Sequence, residues 1–333
     1  AHSFPTRRSS DLIPVLVVFG ATASGKTSLA DTLFSQSSSP GPGEDFSFFK
    51  GRAEIVSADS MQVYRGMDIG TAKPSRSLLE RLPHHLIDIR DPREQFSAGD
   101  FVRLADELCR SISGRGRLPV ILGGTGFYIR NFLCGLPSTP ESDPILRKNL
   151  QDRAEIEGTA AMHRELSAVD PESAAKIHPN DEYRILRALE VFLQSGKPRS
   201  AHDLSSRLRP GYRFKVIFLD RPRAQLYDRI NLRVAEMFEQ GLPEEFARLL
   251  EAGHDKAEPG MQAIGYREFF LTDPPGSDPS RIREEIARNS RKYAKRQEVF
   301  MSSIPGVERW NPEDLPSIYN AVLDAFRDSV HTS

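Results

Sequence analysis

The chain has 333 residues, 38% hydrophobic and 27% charged, enough apolar material for one large domain or two ordinary ones. Lys and Arg number 45 against 46 Asp and Glu, a net charge of -1, which excludes a polycation coating nucleic acid or anionic lipid without specificity; a nucleic-acid site has to be a local patch. No apolar run approaches the roughly 20 residues that cross a bilayer, and Cys109 and Cys134 have neither C-x-x-C spacing nor company for a disulfide scaffold or thiolate zinc site. The expectation is a cytoplasmic chain, free of membrane, with both thiols buried as small hydrophobes.

In chain order, Ala1 to Leu12 reads as a disordered or non-native leader. Ile13 to Phe19 is a continuous apolar, β-branched run closed by Gly20, the pattern of a strand buried on both faces of a parallel sheet. An amphipathic helix follows over Ser28 to Phe34, then a low-complexity stretch, Ser35 to Lys50, read as a surface insertion without chemical weight. Further strands are expected at Glu54 to Ala58, Leu86 to Ile89, Leu118 to Leu122 and Phe214 to Leu219. Between them, a helix over Ser97 to Ser113 opens with Ser97 three residues before Asp100, an acidic variant of the capping box. Strand signals stop between Pro137 and Leu208, where Ile145 to Glu157, Thr159 to Val169 and Asp181 to Ser195 have helical spacing. Arg223 to Gln240, Pro243 to Glu251 and Arg281 to Met301 are again helical. The expected architecture is α/β: a P-loop-containing parallel sheet with helices on both faces and a helical insertion domain. Its parts are the leader at 1–12, the first part of the core at 13–136, the insertion at 137–208, and the last strand and C-terminal helices at 209–330.

The chemistry starts at Gly20-Ala21-Thr22-Ala23-Ser24-Gly25-Lys26-Thr27, which matches G-x-x-x-x-G-K-[ST] directly between a buried strand and a helix. Its glycines let backbone N–H groups close around an anion, Lys26 adds a point charge, and the Thr27 hydroxyl is placed to ligate Mg²⁺. This is a signature of nucleotide- and ATP-binding loops, yet an NTPase is expected to deliver a second-strand acid to the metal. Leu118 to Leu122 ends instead in Gly123-Gly124-Thr125-Gly126, and the acid on this sheet edge is Asp59, after Glu54 to Ala58. Asp59 is thus a metal-holding or base-like residue of a small-molecule kinase, or a general base in chemistry on a bound diphosphate. Gly20, Asp59 and Thr125 all fall at the carboxyl ends of strands, where open α/β sheets bind ligands. His84, His85, His163 and His178 lack the partners of a metal site and read as structural or surface residues.

Eight blocks in order, GATASGKT, SADSMQVYRGMDIGTAKP from Ser57, HHLIDIRDP, FSAGDF, GGTGFY, IHPNDEYRILRALEV, AIGYREF and YAKRQ, make the chain resemble the tRNA dimethylallyltransferase (tRNA isopentenyltransferase) family from about Ile13 to Trp310. It departs from that pattern in the leader, the Ser35 to Lys50 insertion and the Met61-Gln62 pair. The resemblance implies transfer of a dimethylallyl group from dimethylallyl diphosphate to N6 of the adenosine at tRNA position 37, beside the anticodon, with release of diphosphate. It makes Asp59 the general base and puts Thr125 beside the same amine. Gly20 to Thr27, with Arg229 and Arg233, would hold the diphosphate together with Mg²⁺ on Thr27. Base and anticodon-stem contacts fall on Asp59, Ser60, Met61, Gln62, Thr125, Arg147, Asp181, Glu182, Tyr183, Arg184, Ile185, Gln262, Ala263, Ile264, Gly265, Tyr266 and Arg267. A basic helical run, Arg288, Arg291, Lys292, Lys295 and Arg296, is a candidate local patch, with a solvated helix face the alternative.

Three other readings compete: an adenylate-type isopentenyltransferase on free nucleotide, which has no use for the helical insertion; a P-loop small-molecule kinase, which must move a γ-phosphate; and a non-catalytic RNA-binding protein, which would bind equally well without Asp59. A monomer is expected, since no extra apolar stripe is visible.

Overall fold

The computed structural model describes residues 12–36, 45–202, 207–301 and 303–330. Positions 1–11 of the expected leader and 37–44 of the expected surface insertion lie outside them. The chain forms two compact units, one of residues 1–133 and 208–333, the other Cys134–Arg207.

The first unit is built on a six-stranded, all-parallel sheet. In chain order its elements are β1 (Ile13–Gly20), α1 (Lys26–Phe34), β2 (Ala53–Ala58), α2 (Arg76–Arg81), β3 (His84–His85), α3 (Ala98–Gly114), β4 (Leu118–Gly123) and α4 (Gly126–Cys134), which runs to the unit boundary. The strand order is β3-β2-β4-β1, continuing to the two strands introduced below as β5 and β6. Strand residues alternate between faces. Leu16, Val18, Val120 and Leu122 pack with Leu29 and Leu33 of α1 and Leu78 of α2, whereas Phe101 of α3 packs edge-on against Phe132 of α4, which covers Phe214 on the other face. The capping box of α3 is complete, with Ser97 accepting from the Asp100 N–H and Asp100 accepting from the Ser97 N–H.

Two local expectations need correction. The strand expected at Leu86 to Ile89 is instead the two-residue β3, because Leu86 (φ 65°) and Asp88 (φ 56°) turn left-handed and end the extended run. The insertion is not all surface: Phe46 and Phe49 are buried in the sheet core, with Tyr319 4.9 Å from the Phe46 ring centroid.

The second unit holds α5 (Pro144–Glu157), α6 (Thr159–Val169), α7 (Pro171–Lys176) and α8 (Glu182–Ser195). Asp143, Asp170 and Asp181 cap α5, α7 and α8 with side-chain acceptors, and the left-handed Gly196 ends α8. Leu150, Met162, Leu166, Ile185 and Leu189 form a core of its own.

The chain then returns to the first unit as β5 (Tyr212–Leu219), α9 (Arg223–Glu239), α10 (Leu242–Glu251), α11 (Pro279–Met301), β6 (Val307–Trp310) and α12 (Leu315–Phe326). β5 pairs along all of β1, and β6 pairs with β5. Ile318, Val322 and Phe326 of α12 join the core under α1. Among the described residues no helix is long and apolar enough to cross a membrane.

Candidate active site

β1 delivers the phosphate loop to the carboxyl edge of the sheet. Gly20 has no room for a side chain, since a Cβ there would lie 2.6 Å from Ser24 Oγ and 3.0 Å from the Leu219 carbonyl. Ala23 (φ 63°) and Gly25 (φ 106°) are both left-handed, and between them the Ser24 N–H closes the turn on the Ala21 carbonyl at 3.1 Å. Gly25 caps α1 without a side-chain hydrogen bond, leaving the first-turn N–H groups for a ligand. Lys26 Nζ donates to the carbonyls of Gly20 (2.9 Å) and Ala21 (2.8 Å). Neither acceptor carries a full charge, and desolvation, with Arg233 adding to it and Asp59 opposing, pulls the ammonium down to about 7.

β2 and β4 bring the second half of the site beside it. Their ends touch because Gly123 lacks a Cβ, which would fall 2.1 Å from the Ala58 carbonyl oxygen. Asp59 Oδ1 accepts from the N–H groups of Met61 (2.9 Å) and Gln62 (3.3 Å). Thr125 Oγ1 accepts from the Ser60 N–H (3.0 Å) and donates to Ser60 Oγ (3.3 Å), so one hydroxyl joins the two strand ends. The loop after Asp59 is pinned from behind. The buried Glu245 of α10 accepts from the N–H groups of Asp68 (3.0 Å), Ile69 (3.0 Å) and Gly70 (3.2 Å) and from the Tyr266 hydroxyl (2.5 Å). Lys73 donates to the Tyr64 carbonyl (2.6 Å) and pairs with Asp68 and Asp88.

α9 and α11 close the site from the side. Arg229 Nε donates to the Ala23 carbonyl at 2.9 Å, and Arg233 Nη1 to Thr22 Oγ1 at 3.4 Å. Desolvation and the neighbouring Arg229 lower the Arg233 guanidinium below its ordinary value. On α11, desolvation and the nearby Asp59 carboxylate push the Tyr293 phenol up to about 12, and Gln297 reaches into the phosphate loop. Together these elements line one cavity of about 510 Å³. Lys26, Thr27, Arg229 and Arg233 give it a cationic, hydroxyl-bearing end, and Ile230, Val234, Met237, Ile264 and Ile286 an apolar wall. Asp59 lines the same cavity.

The family model described as IPP transferase matches residues 62–303. A tRNA dimethylallyltransferase of Geobacter sulfurreducens is 41% identical over 94% of this chain and 96% of its own length, and one of Bacillus subtilis is 42% identical over 85% and 86%. Among solved structures, a full-length tRNA isopentenylpyrophosphate transferase of Bacillus halodurans, 35% identical, aligns over 95% of this chain and 98% of its own with a TM-score of 0.65. A eukaryotic dimethylallyltransferase solved acting on tRNA is 25% identical over 96% of this chain and 81% of its own, with a TM-score of 0.74. The chain belongs to the IPP transferase family.

In this family member, Thr22, Ala23, Gly25, Lys26 and Thr27 of the phosphate loop line the cavity, as do Arg229 and Arg233, Asp59 to Gln62, Gln262 to Ile264, and Arg267. Thr125 is adjacent through Ser60. Three expected contact residues have to be reassigned. Tyr266 is fully buried with its ring against Gly70 and its hydroxyl on Glu245, so it shapes the loop from inside. Ile185 is fully buried in the core of the second unit, being on the inner face of α8. Neighbouring Gly265, left-handed at φ 108°, is likewise buried and packs on the Gly70 backbone.

The remaining expected RNA contacts lie within the second unit. The Arg147 guanidinium stands 4.6 Å over the Tyr183 ring, which is 69% exposed. Asp181 pairs with Arg184, and Glu182 accepts from the Thr159 hydroxyl. Of the basic run, Arg288 is tied to Glu285, Arg291 to Asn231, and Arg296 lines the cavity beside Tyr293. The histidines are engaged locally, His85 on Glu54 and His163 on the carbonyls of Ala174 and Ile177.

Sequence reasoning passed over Glu245, Tyr293 and Gln297. The last two lie inside the quoted YAKRQ block, and their spacing of four puts them on one helix face. Glu245 had no local signal, because the backbone it holds is some 175 residues away.

Proposed function

We propose that this protein transfers a dimethylallyl group from dimethylallyl diphosphate to N6 of the adenosine at position 37 of tRNA. The observation that carries this reading is the shared cavity: a cationic anion cradle, a carboxylate and an apolar wall meet in one space sized for a small allylic diphosphate and an extruded base. The phosphate loop, Lys26, Arg229 and Arg233 take the diphosphate. Their charge stabilises the oxygen that leaves as the allylic C1–O bond breaks. The N6 lone pair forms the new bond to C1, and Asp59 accepts the proton that N6 loses, a task worth about 10² to 10⁴ in rate. Thr125 orients Asp59's loop through Ser60.

Mg²⁺ is usually held by few protein oxygens together with phosphates and water, and the Thr27 hydroxyl in the cavity is a donor of that kind. Thr27 would hold it, and when bound it would supply charge neutralisation on the diphosphate. The exposed Tyr183 of the second unit suits stacking with the anticodon stem-loop, and Arg147, mostly buried and paired with Glu190, holds its ring from behind.

The test combines purified protein, Mg²⁺, dimethylallyl diphosphate and an anticodon stem-loop RNA, read by nucleoside mass spectrometry. Prenylated adenosine is expected from the wild type and almost none from Asp59→Asn. Product on free AMP in place of RNA would move the substrate to a nucleotide, and a missing product on both would sink the reading.

A further inference from the structure

β1 and β4 run side by side as far as the pair Phe19 and Gly123. Beyond it the two chains part, one into the phosphate loop and the other into the Gly124-Thr125 turn, and the ligand cavity opens between them. The Gln297 carboxamide fills the gap in the ladder. Its Oε1 accepts from the Thr22 N–H at 2.9 Å, and its Nε2 donates to the Gly124 carbonyl at 2.7 Å. A side-chain amide offers one acceptor and one donor at the spacing of a peptide group, so Gln297 acts as an extra peptide unit inserted between two diverging strands.

Three observations say that this bridge is built in. Gln297 is only 9% exposed although it lines the cavity. Gly124 leaves the space for it, since a Cβ there would lie 2.5 Å from Nε2. Each anchor leads straight to chemistry: Thr22 also receives Arg233 through its hydroxyl, and Gly124 precedes Thr125, which holds Ser60 beside Asp59.

We infer that Gln297 is a positioning residue that sets the distance between the diphosphate cradle and the Asp59–Thr125 pair. The kinetic part of this inference rests on the prenyl-transfer reading above. Most of the cradle survives without the bridge, because Lys26, Arg229 and the first turn of α1 do not depend on it. Loss of the bridge therefore loosens the line from C1 to N6 while leaving diphosphate binding close to normal. A misplacement of about 1 Å is worth about 100-fold in rate.

The experiment compares wild type, Gln297→Met, which keeps the length of the side chain and loses both bonds, and Gln297→Glu, which keeps an acceptor for Thr22 and sets an oxygen against the Gly124 carbonyl. Steady-state rates, KM for dimethylallyl diphosphate, calorimetric binding of inorganic diphosphate and amide hydrogen exchange over residues 20–27 and 123–128 are measured on the full chain. Expected is a fall in kcat of about 100-fold in both variants, with KM and diphosphate Kd within about threefold and faster exchange confined to the two segments. Unchanged kcat, an equal loss of kcat and diphosphate affinity, or global unfolding of both variants would overturn the inference. If the wild type itself makes no prenylated adenosine, the parent reading falls, and the exchange measurement decides the bridge independently: unchanged exchange at both segments refutes it.

Discussion

Lys26 in the first unit and Glu190 in the second are charged groups withdrawn from water, and the protein treats them in opposite ways. Glu190 is fully surrounded by donors: the Ser142 hydroxyl at 2.6 Å, the Asp143 N–H at 2.8 Å, Arg187 at 2.9 Å and Arg147 at 3.4 Å. Against the upward push of burial, the Ser142 hydroxyl and Arg187 hold its carboxyl below the ordinary value, so it stays charged. Lys26 has two carbonyls, a repelling Arg233 and a desolvated setting, and it is poised near neutrality at about 7. A buried charge that is compensated by its own fold serves stability. One left short of countercharge marks where the charge of a ligand belongs.

That contrast breaks first at Asp59. Asp59→Asn should lower the rate of prenyl transfer by about 10² to 10⁴ with the melting temperature and diphosphate Kd unchanged; equal loss of diphosphate binding would make Asp59 a ligand-binding group instead. Glu190→Ala strands two arginines and should destabilise the second unit by about 3–5 kcal/mol, read by denaturant unfolding, while diphosphate binding stays intact. Tyr183→Ala should leave stability alone and weaken binding of the anticodon stem-loop by about 1–3 kcal/mol, measured by RNA titration at fixed salt.

The subtlest test concerns Lys26 itself. Its lowered pKa leaves it largely neutral at pH 8, and a bound diphosphate, being anionic, raises that pKa again, so binding draws a proton from solution. Calorimetry with dimethylallyl diphosphate in buffers of different ionisation enthalpy should show net proton uptake at pH 8, fading toward zero below pH 6, where Lys26 is already charged. Proton release, or no exchange at pH 8, would refute the assignment.

Much of this was legible along the chain. The strand–GATASGKT–helix sequence placed the loop that forms the cationic end of the cavity, because every part of it is local: the glycines, the lysine and the threonine act through the turn they occupy. Asp59 and Thr125 were legible from position alone, since residues after parallel strands collect at one sheet edge. The helices of the second unit could be read from apolar spacing and from the capping residues Asp143, Asp170 and Asp181. The errors came where distant packing overrode local pattern. Phe46 and Phe49 sit in a stretch of turn-forming residues, but α12 supplies a core for them. Leu86 to Ile89 has strand-like residues, but Asp88 is drawn to Lys73, and left-handed turns at Leu86 and Asp88 interrupt the run.

By itself, then, the sequence determined the parallel sheet, the glycine-turned loop after its first strand and the acid at the strand edge, because periodicity, glycine freedom and strand order are properties of short segments. The tertiary structure alone decided which groups face one another across the cavity. Glu245 holding the loop before Thr71, Tyr266 turned inward, Arg233 desolvated beside Lys26, and Gln297 joining Thr22 to Gly124 are all matters of distance between elements remote in sequence. Burial and charge act through space, and only the folded chain specifies which residues share it.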